Sequence, residues 1–149
     1  MRYNILIVLI LVLIVVGTLF TINFKPGNVI VEYQESFRQG DPLSGKLTIT
    51  IEQGDSLDAS IPIIVSLSNE AGIIEAKTLR LSEFMQISDN PTQPVKKENS
   101  LFYDTPGLYS VDINKIIQYK FQEKGQYELL FNIVKINLAI KKSIIVDWC

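Results

Sequence analysis

Leu47-Thr48-Ile49-Thr50-Ile51-Glu52 alternates apolar and polar side chains without a break. Successive side chains of an extended chain point to opposite faces, so this pattern is a β-strand with one face buried. The same period recurs on both sides of it. Val29, Val31 and Tyr33 alternate with Ile30, Glu32 and Gln34, and Ile61, Ile63, Val65 and Leu67 share one face. Further on, Tyr109, Val111 and Ile113 form a row, as do Tyr127, Leu129, Phe131 and Ile133, then Ile140, Ile144, Val146 and Trp148. Turn residues fall between these runs: Gln39-Gly40-Asp41-Pro42, Gln53-Gly54-Asp55, Asn69-Glu70-Ala71-Gly72, Thr105-Pro106-Gly107 and Lys124-Gly125. Short strands recurring roughly every 10–15 residues, with no helical crossover between them, predict an all-β antiparallel sandwich.

Two places break the period. Leu81 to Met85 reads as one helical turn capped by Ser82, and Asp112 is placed to cap a turn through Ile113, Ile116 and Ile117. Residues 88–99 form the longest polar stretch and read as a loop. Gln-Gly-Asp occurs at 39–41 and again at 53–55, marking two turns.

The beginning of the chain obeys a different rule. From Tyr3 to Phe24 there are 22 consecutive uncharged residues, and 15 of the 18 between Ile5 and Ile22 are apolar. A helix rises 1.5 Å per residue, so about 20 residues cross a hydrocarbon layer of about 30 Å. Residues 4–24 are therefore expected to be a transmembrane helix in contact with the lipid bilayer. This divides the chain into a signal-anchor helix at 1–24, a short linker at 25–28 and a sandwich domain at 29–149. Arg2 on the short side predicts a cytoplasmic N-terminus and an extracytoplasmic domain at the cell membrane. The competing reading is a cleaved signal peptide with its site near Val15-Val16-Gly17, and it exports the domain equally.

Composition narrows the chemistry. Arg2 is the only charge before Lys25, leaving 13 basic and 16 acidic residues, a net of −3. This speaks against electrostatic capture of nucleic acid. The chain has no His, hence no imidazole catalysis. Its single Cys, Cys149, allows no intrachain disulfide framework, though pairing between chains is open to it.

Glu123-Lys124-Gly125-Gln126-Tyr127-Glu128-Leu129 resembles the Gly-x-Tyr entry into strand F of immunoglobulin-like domains. The resemblance implies that Tyr127 bonds backward across a corner with its ring in the core. Phe37 to Leu47, with Gly40 and Asp41 at its turn, is similar to the segment opening the second strand of arrestin-like and macroglobulin-like sandwiches. A hydrophobic helix followed by a small sandwich also resembles archaeal pilins and archaellum stator proteins. The basic-Gly processing site of a pilin is absent.

Against that scaffold the candidate site residues are few. Asp41, Asp55 and Asp58 crowd two turns, where carboxylates either bond their own backbone or hold a cation. Ser and Thr are plentiful, but none has a His partner or a Gly-x-Ser-x-Gly elbow, so no catalytic residue and no cofactor are expected. Trp148 reads as core, and Gly40 and Gly125 as turn glycines. Recognition is expected on the polar segment, through Ser88, Asp89, Asn90, Gln93, Lys96, Lys97 and Glu98, with an envelope protein or an anionic surface polymer as partner. The expected role is a non-catalytic binding or structural module of the cell envelope, the alternative being an accessory subunit of an envelope filament or machine.

Overall fold

The computed structural model describes residues 29–148, Asn137 excepted; the segment at 4–24, the linker at 25–28 and Cys149 lie outside them. Among the described residues no helix is long and apolar enough to cross a membrane.

The alternating rows become the facing sides of two sheets. In the first, β1 (Val29–Tyr33) and β9 (Gly107–Asp112) flank β3 (Gly45–Ile51), all antiparallel. The second has the order β2-β11-β10-β5-β6, built from β2 (Ser36–Arg38), β11 (Leu138–Asp147), β10 (Gly125–Ile133), β5 (Pro62–Asn69) and β6 (Gly72–Arg80). Leu47, Ile49, Ile51, Tyr109 and Val111 from the first sheet share one hydrophobic core with Ile63, Val65, Leu67, Tyr127, Leu129, Phe131, Ile144 and Val146 from the second. Two sheets closing on one core make a β-sandwich. The order places the first, second and fifth strands of an immunoglobulin-like domain in one sheet and its third, sixth and seventh in the other. One pair departs from the expected antiparallel pattern. β2 runs parallel to β11, Ser36 facing Ile145 and Arg38 facing Asp147, because the chain leaves the first sheet after Tyr33 and joins the second without reversing.

A third, small sheet has the order β4-β8-β7, from β4 (Leu57–Asp58), β8 (Ser100–Tyr103) and β7 (Val95–Lys97). The expected loop over 88–99 is therefore corrected: its second half is strand β7, joined to β8 across Glu98 and Asn99. The helical turn is a seven-residue helix, α1 (Leu81–Ile87), which buries Leu81, Phe84 and Met85. Its N-cap is Arg80 rather than Ser82. The Arg80 backbone N–H donates to Glu83 Oε2 at 2.6 Å, the acidic half of a capping box. Ser82 N–H instead donates to the Ala59 carbonyl at 3.0 Å, tying the helix to the chain between β4 and β5. After β9 a single 3-10 turn, Ile113–Lys115, follows Asp112, whose side chain makes no cap bond. The amides of Ile116 and Ile117 both reach the Ile113 carbonyl at 2.9 Å, and all three isoleucines are buried.

The corner residue lies where the resemblance implied. Tyr127 is buried, its hydroxyl donates to the Glu123 carbonyl at 2.8 Å, and its ring meets the edge of Phe121 at 4.9 Å. Gly125 has φ +147°, a conformation that side chains rarely adopt. The spacing recurs in Gly107-Leu108-Tyr109, where the Tyr109 hydroxyl donates to the Thr105 carbonyl at 2.7 Å. The sandwich thus has a tyrosine corner in each sheet.

Trp148 is corrected outright. It is 64% exposed, with Lys124 Nζ 5.1 Å from its ring centroid. The inward row ends at Val146, opposite Gly125, the first residue of β10. One step of two further on, the neighbouring strand is no longer there to bury it.

Candidate functional site

The seven residues expected to contact a partner divide into two groups. Ser88 and Asp89 hold the fold together. Ser88 is buried and its hydroxyl donates to the Met85 carbonyl at 2.8 Å, closing the end of α1. Asp89 N–H donates to the Ser110 carbonyl at 2.9 Å, satisfying the outer edge of β9. The Asp89 carboxylate lies 3.4 Å from Lys46 Nζ and 4.0 Å from Lys115 Nζ. Exposed pairs of this kind contribute little energy, but here one carboxylate draws together lysines from two elements.

Asn90, Gln93, Lys96, Lys97 and Glu98 are exposed. The two lysines are successive residues of β7 and so point to opposite faces of the hairpin, Lys96 across from Leu101 and Lys97 across from Ser100. Glu98 at the tip has φ +56°. A left-handed non-glycine residue costs on the order of 1 kcal/mol. The hairpin stands on a fixed base: Tyr103 at the end of β8 is buried and faces Leu57 of β4, and Ala59 N–H donates to the Leu101 carbonyl at 2.9 Å. Phe102 is half-buried, and Val95 and Leu101 are open.

The acidic turns are occupied by their own backbone. Asp41 Oδ2 accepts the Arg38 N–H at 2.8 Å, and Asp55 Oδ2 accepts the Glu52 N–H at 3.0 Å. In both turns the Gly, Gly40 or Gly54, has φ +93°, and the Asp N–H closes back at 3.0 Å onto the carbonyl three residues before. The repeated Gln-Gly-Asp is thus one turn built twice, of the kind that requires positive φ at its third position. Asp58 Oδ1 accepts both the N–H and the hydroxyl of Ser60, at 2.8 and 2.7 Å. Among the described residues no three His, Cys, Asp or Glu side chains come together as a metal site would need.

A groove of about 440 Å³, unsignalled by any motif, lies beside the end of β9. Pro42, Leu43, Asn114, Lys115, Gln118, Tyr119 and Lys120 line it. Its floor is fixed by the Leu43 N–H, which donates to the Tyr119 carbonyl at 2.7 Å, and by the bridge between Pro42 and Lys120. Asp89 links the two regions, since it holds Lys115 on the rim of the groove and stands at the root of the segment leading to the hairpin. Asn114, Lys115, Gln118 and Lys120 are polar residues interleaved with the buried Ile113, Ile116 and Ile117, and that interleaving was the available signal.

Three of the described tyrosines have hydroxyls moved by their surroundings. Burial pushes the hydroxyls of Tyr103, Tyr109 and Tyr127 above the usual phenol value, with the neighbouring Tyr119 adding to the effect at Tyr127.

No protein-family model matches the chain, and no curated protein does. Similar solved structures include the CARDB domain of a Pyrococcus furiosus protein, in a solution structure with TM-score 0.45 and 5% identity over 81% of this chain and 94% of that one. A crystal structure of that CARDB domain in complex with di-metal ions has TM-score 0.45 and 8% identity over 85% and 94%. A superoxide reductase (neelaredoxin) from Ignicoccus hospitalis has TM-score 0.40 and 11% identity over 80% of each chain. No activity carries over at these values.

Proposed function

We propose that the chain is a non-catalytic, membrane-anchored binding module of the cell envelope, with its immunoglobulin-like sandwich on the extracytoplasmic side. Its partner is an acidic envelope protein or an anionic surface polymer, met by the β7–β8 hairpin. The observation that carries this reading is the Lys96–Lys97 pair on an exposed hairpin with a buried base, in a domain (residues 29–149) that has 12 basic and 16 acidic residues, a net charge of −4. The uncharged run from Tyr3 to Phe24 supports the anchor. It ends four residues before β1, so the linker spans at most about 14 Å and keeps the domain close to the bilayer.

The test uses the full chain in its own membrane. Protease added from outside should remove the domain and leave a short membrane-bound piece. Capture of an anionic polymer by the extracted chain should be lost on Lys96→Glu/Lys97→Glu and fade toward about 0.5 M salt, where the screening length is roughly 4 Å. Capture that survives both changes would put the binding surface elsewhere. A second reading, an accessory subunit of an envelope filament or machine, is favoured by one observation, the edge of β6, which no strand among the described residues covers.

A further inference from the structure

The second sheet ends at β6, and among the described residues nothing pairs with the outer side of that strand. At nine residues it is the longest sheet edge among the described residues; β9 has six, β1 five, β2 and β7 three each and β4 two. An uncovered edge of this length presents a row of backbone donors and acceptors to another strand. Its side chains say which strand fits. Leu79, Lys77 and Glu75 stand opposite Ile63, Val65 and Leu67 of β5 and so share the inward face, and the bulge at Leu67/Ser68 ends the regular ladder at Glu75. Lys77 alone would deter an edge-to-edge neighbour, as inward-pointing charges do. Opposite a carboxylate it selects one instead.

We propose that β6 is the interface of a homodimer, in which two copies pair antiparallel about a two-fold axis through Ala76. The axis is perpendicular to the sheet, as a continuous sheet requires, so each residue faces one of the same parity. Centring it on Glu75 or on Lys77 sets like charges face to face. Centring it on Ala76 sets Glu75 against the partner's Lys77 and Lys77 against the partner's Glu75, two reciprocal ion pairs on one face. The two five-stranded sheets become one sheet of ten strands, still within the usual size. Ile73, 74% exposed at the start of the strand, comes beside the end of the partner's β6. The inference is independent of the anchor and of the hairpin's partner.

Sedimentation of the purified full chain over a range of concentrations should show a reversible dimer. Glu75→Lys and Lys77→Glu should each weaken it roughly tenfold or more, because each sets two like-charge pairs face to face across the axis. The double variant Glu75→Lys/Lys77→Glu should recover the dimer, which separates charge from misfolding. In a Cys149→Ser background, Ala76→Cys should form a disulfide-linked dimer on mild oxidation, since residues facing each other across an antiparallel pair lie about 4.5–5.5 Å apart at Cα. Thr78→Cys, four residues from its own symmetry mate along the strand, should not. A chain monomeric throughout, a double variant no tighter than the singles, or Thr78→Cys linking as readily as Ala76→Cys would overturn the proposal.

Discussion

Replacing Tyr127 by Phe and by Ala takes the tyrosine corner apart in two steps. Phe removes only the bond from the hydroxyl to the Glu123 carbonyl. Glu123 is exposed, so water replaces the lost donor and the cost is limited to about 0.5–1.5 kcal/mol. Ala also removes the ring, which packs against Phe121 at 4.9 Å and through it onto Phe37 at 4.8 Å. The cavity then raises the total to about 3–5 kcal/mol. The assay is equilibrium urea unfolding of the domain from residue 25, followed by far-ultraviolet circular dichroism. Tyr109→Phe removes the matching bond to the Thr105 carbonyl in the other sheet. The two Phe substitutions should therefore add to within about 0.5 kcal/mol, as separate sites do. A Phe variant as costly as the Ala variant would mean that the hydroxyl, not the ring, holds the corner. An Ala variant costing under about 1 kcal/mol would remove Tyr127 from the core and refute the reasoning.

Other expectations follow from the same geometry. The folded state raises the pKa of Tyr103, Tyr109 and Tyr127 above the ordinary 10.0, so their contribution is complete below pH 10 and lost as pH rises through the folded values. Urea midpoints should accordingly fall above about pH 10, and less steeply in Tyr127→Phe. Trp148, the sole tryptophan, is exposed, so its emission should be that of a solvated indole and change little on unfolding, and Trp148→Ala should cost under about 1 kcal/mol, the worth of an exposed cation–π contact with Lys124. Glu98→Gly should raise stability by about 0.5–1 kcal/mol in thermal melts, because glycine adopts φ +56° without strain. Gly125→Val should lower it by about 1–3 kcal/mol through backbone strain alone, since a Cβ there meets nothing within 4 Å.

The core strands were legible because their inward rows are complete, and a row such as Leu47, Ile49 and Ile51 has one structural meaning. The edges were not. β6 carries Glu75 and Lys77 in the same row as buried Leu79, since it lies at the margin of a five-stranded sheet facing one of three strands. β7 looked like loop because its small sheet buries little beyond Tyr103, and polar residues there satisfy the hairpin as well as a coil. Trp148 kept the period of its strand while outlasting the neighbour that would have covered it. At the candidate site, Lys96, Lys97 and Glu98 were legible as exposed, but Ser88 and Asp89 looked identical to them in polarity. Only the partners, the Met85 carbonyl and the edge of β9, mark those two as structural.

The parallel pair at the edge of the second sheet has a mechanical meaning. β2 lies near the start of the described chain and β11 at its end, and they run in the same direction. Tension applied toward the N-terminal side, against a load on the C-terminal side, slides one strand along the other instead of peeling them apart. The bonds from Gln39 N–H to the Asp147 carbonyl and from Ile145 N–H to the Glu35 carbonyl then bear the load together. Pulled between those two ends, such a shear-loaded clasp resists unravelling where an antiparallel hairpin would open one bond at a time.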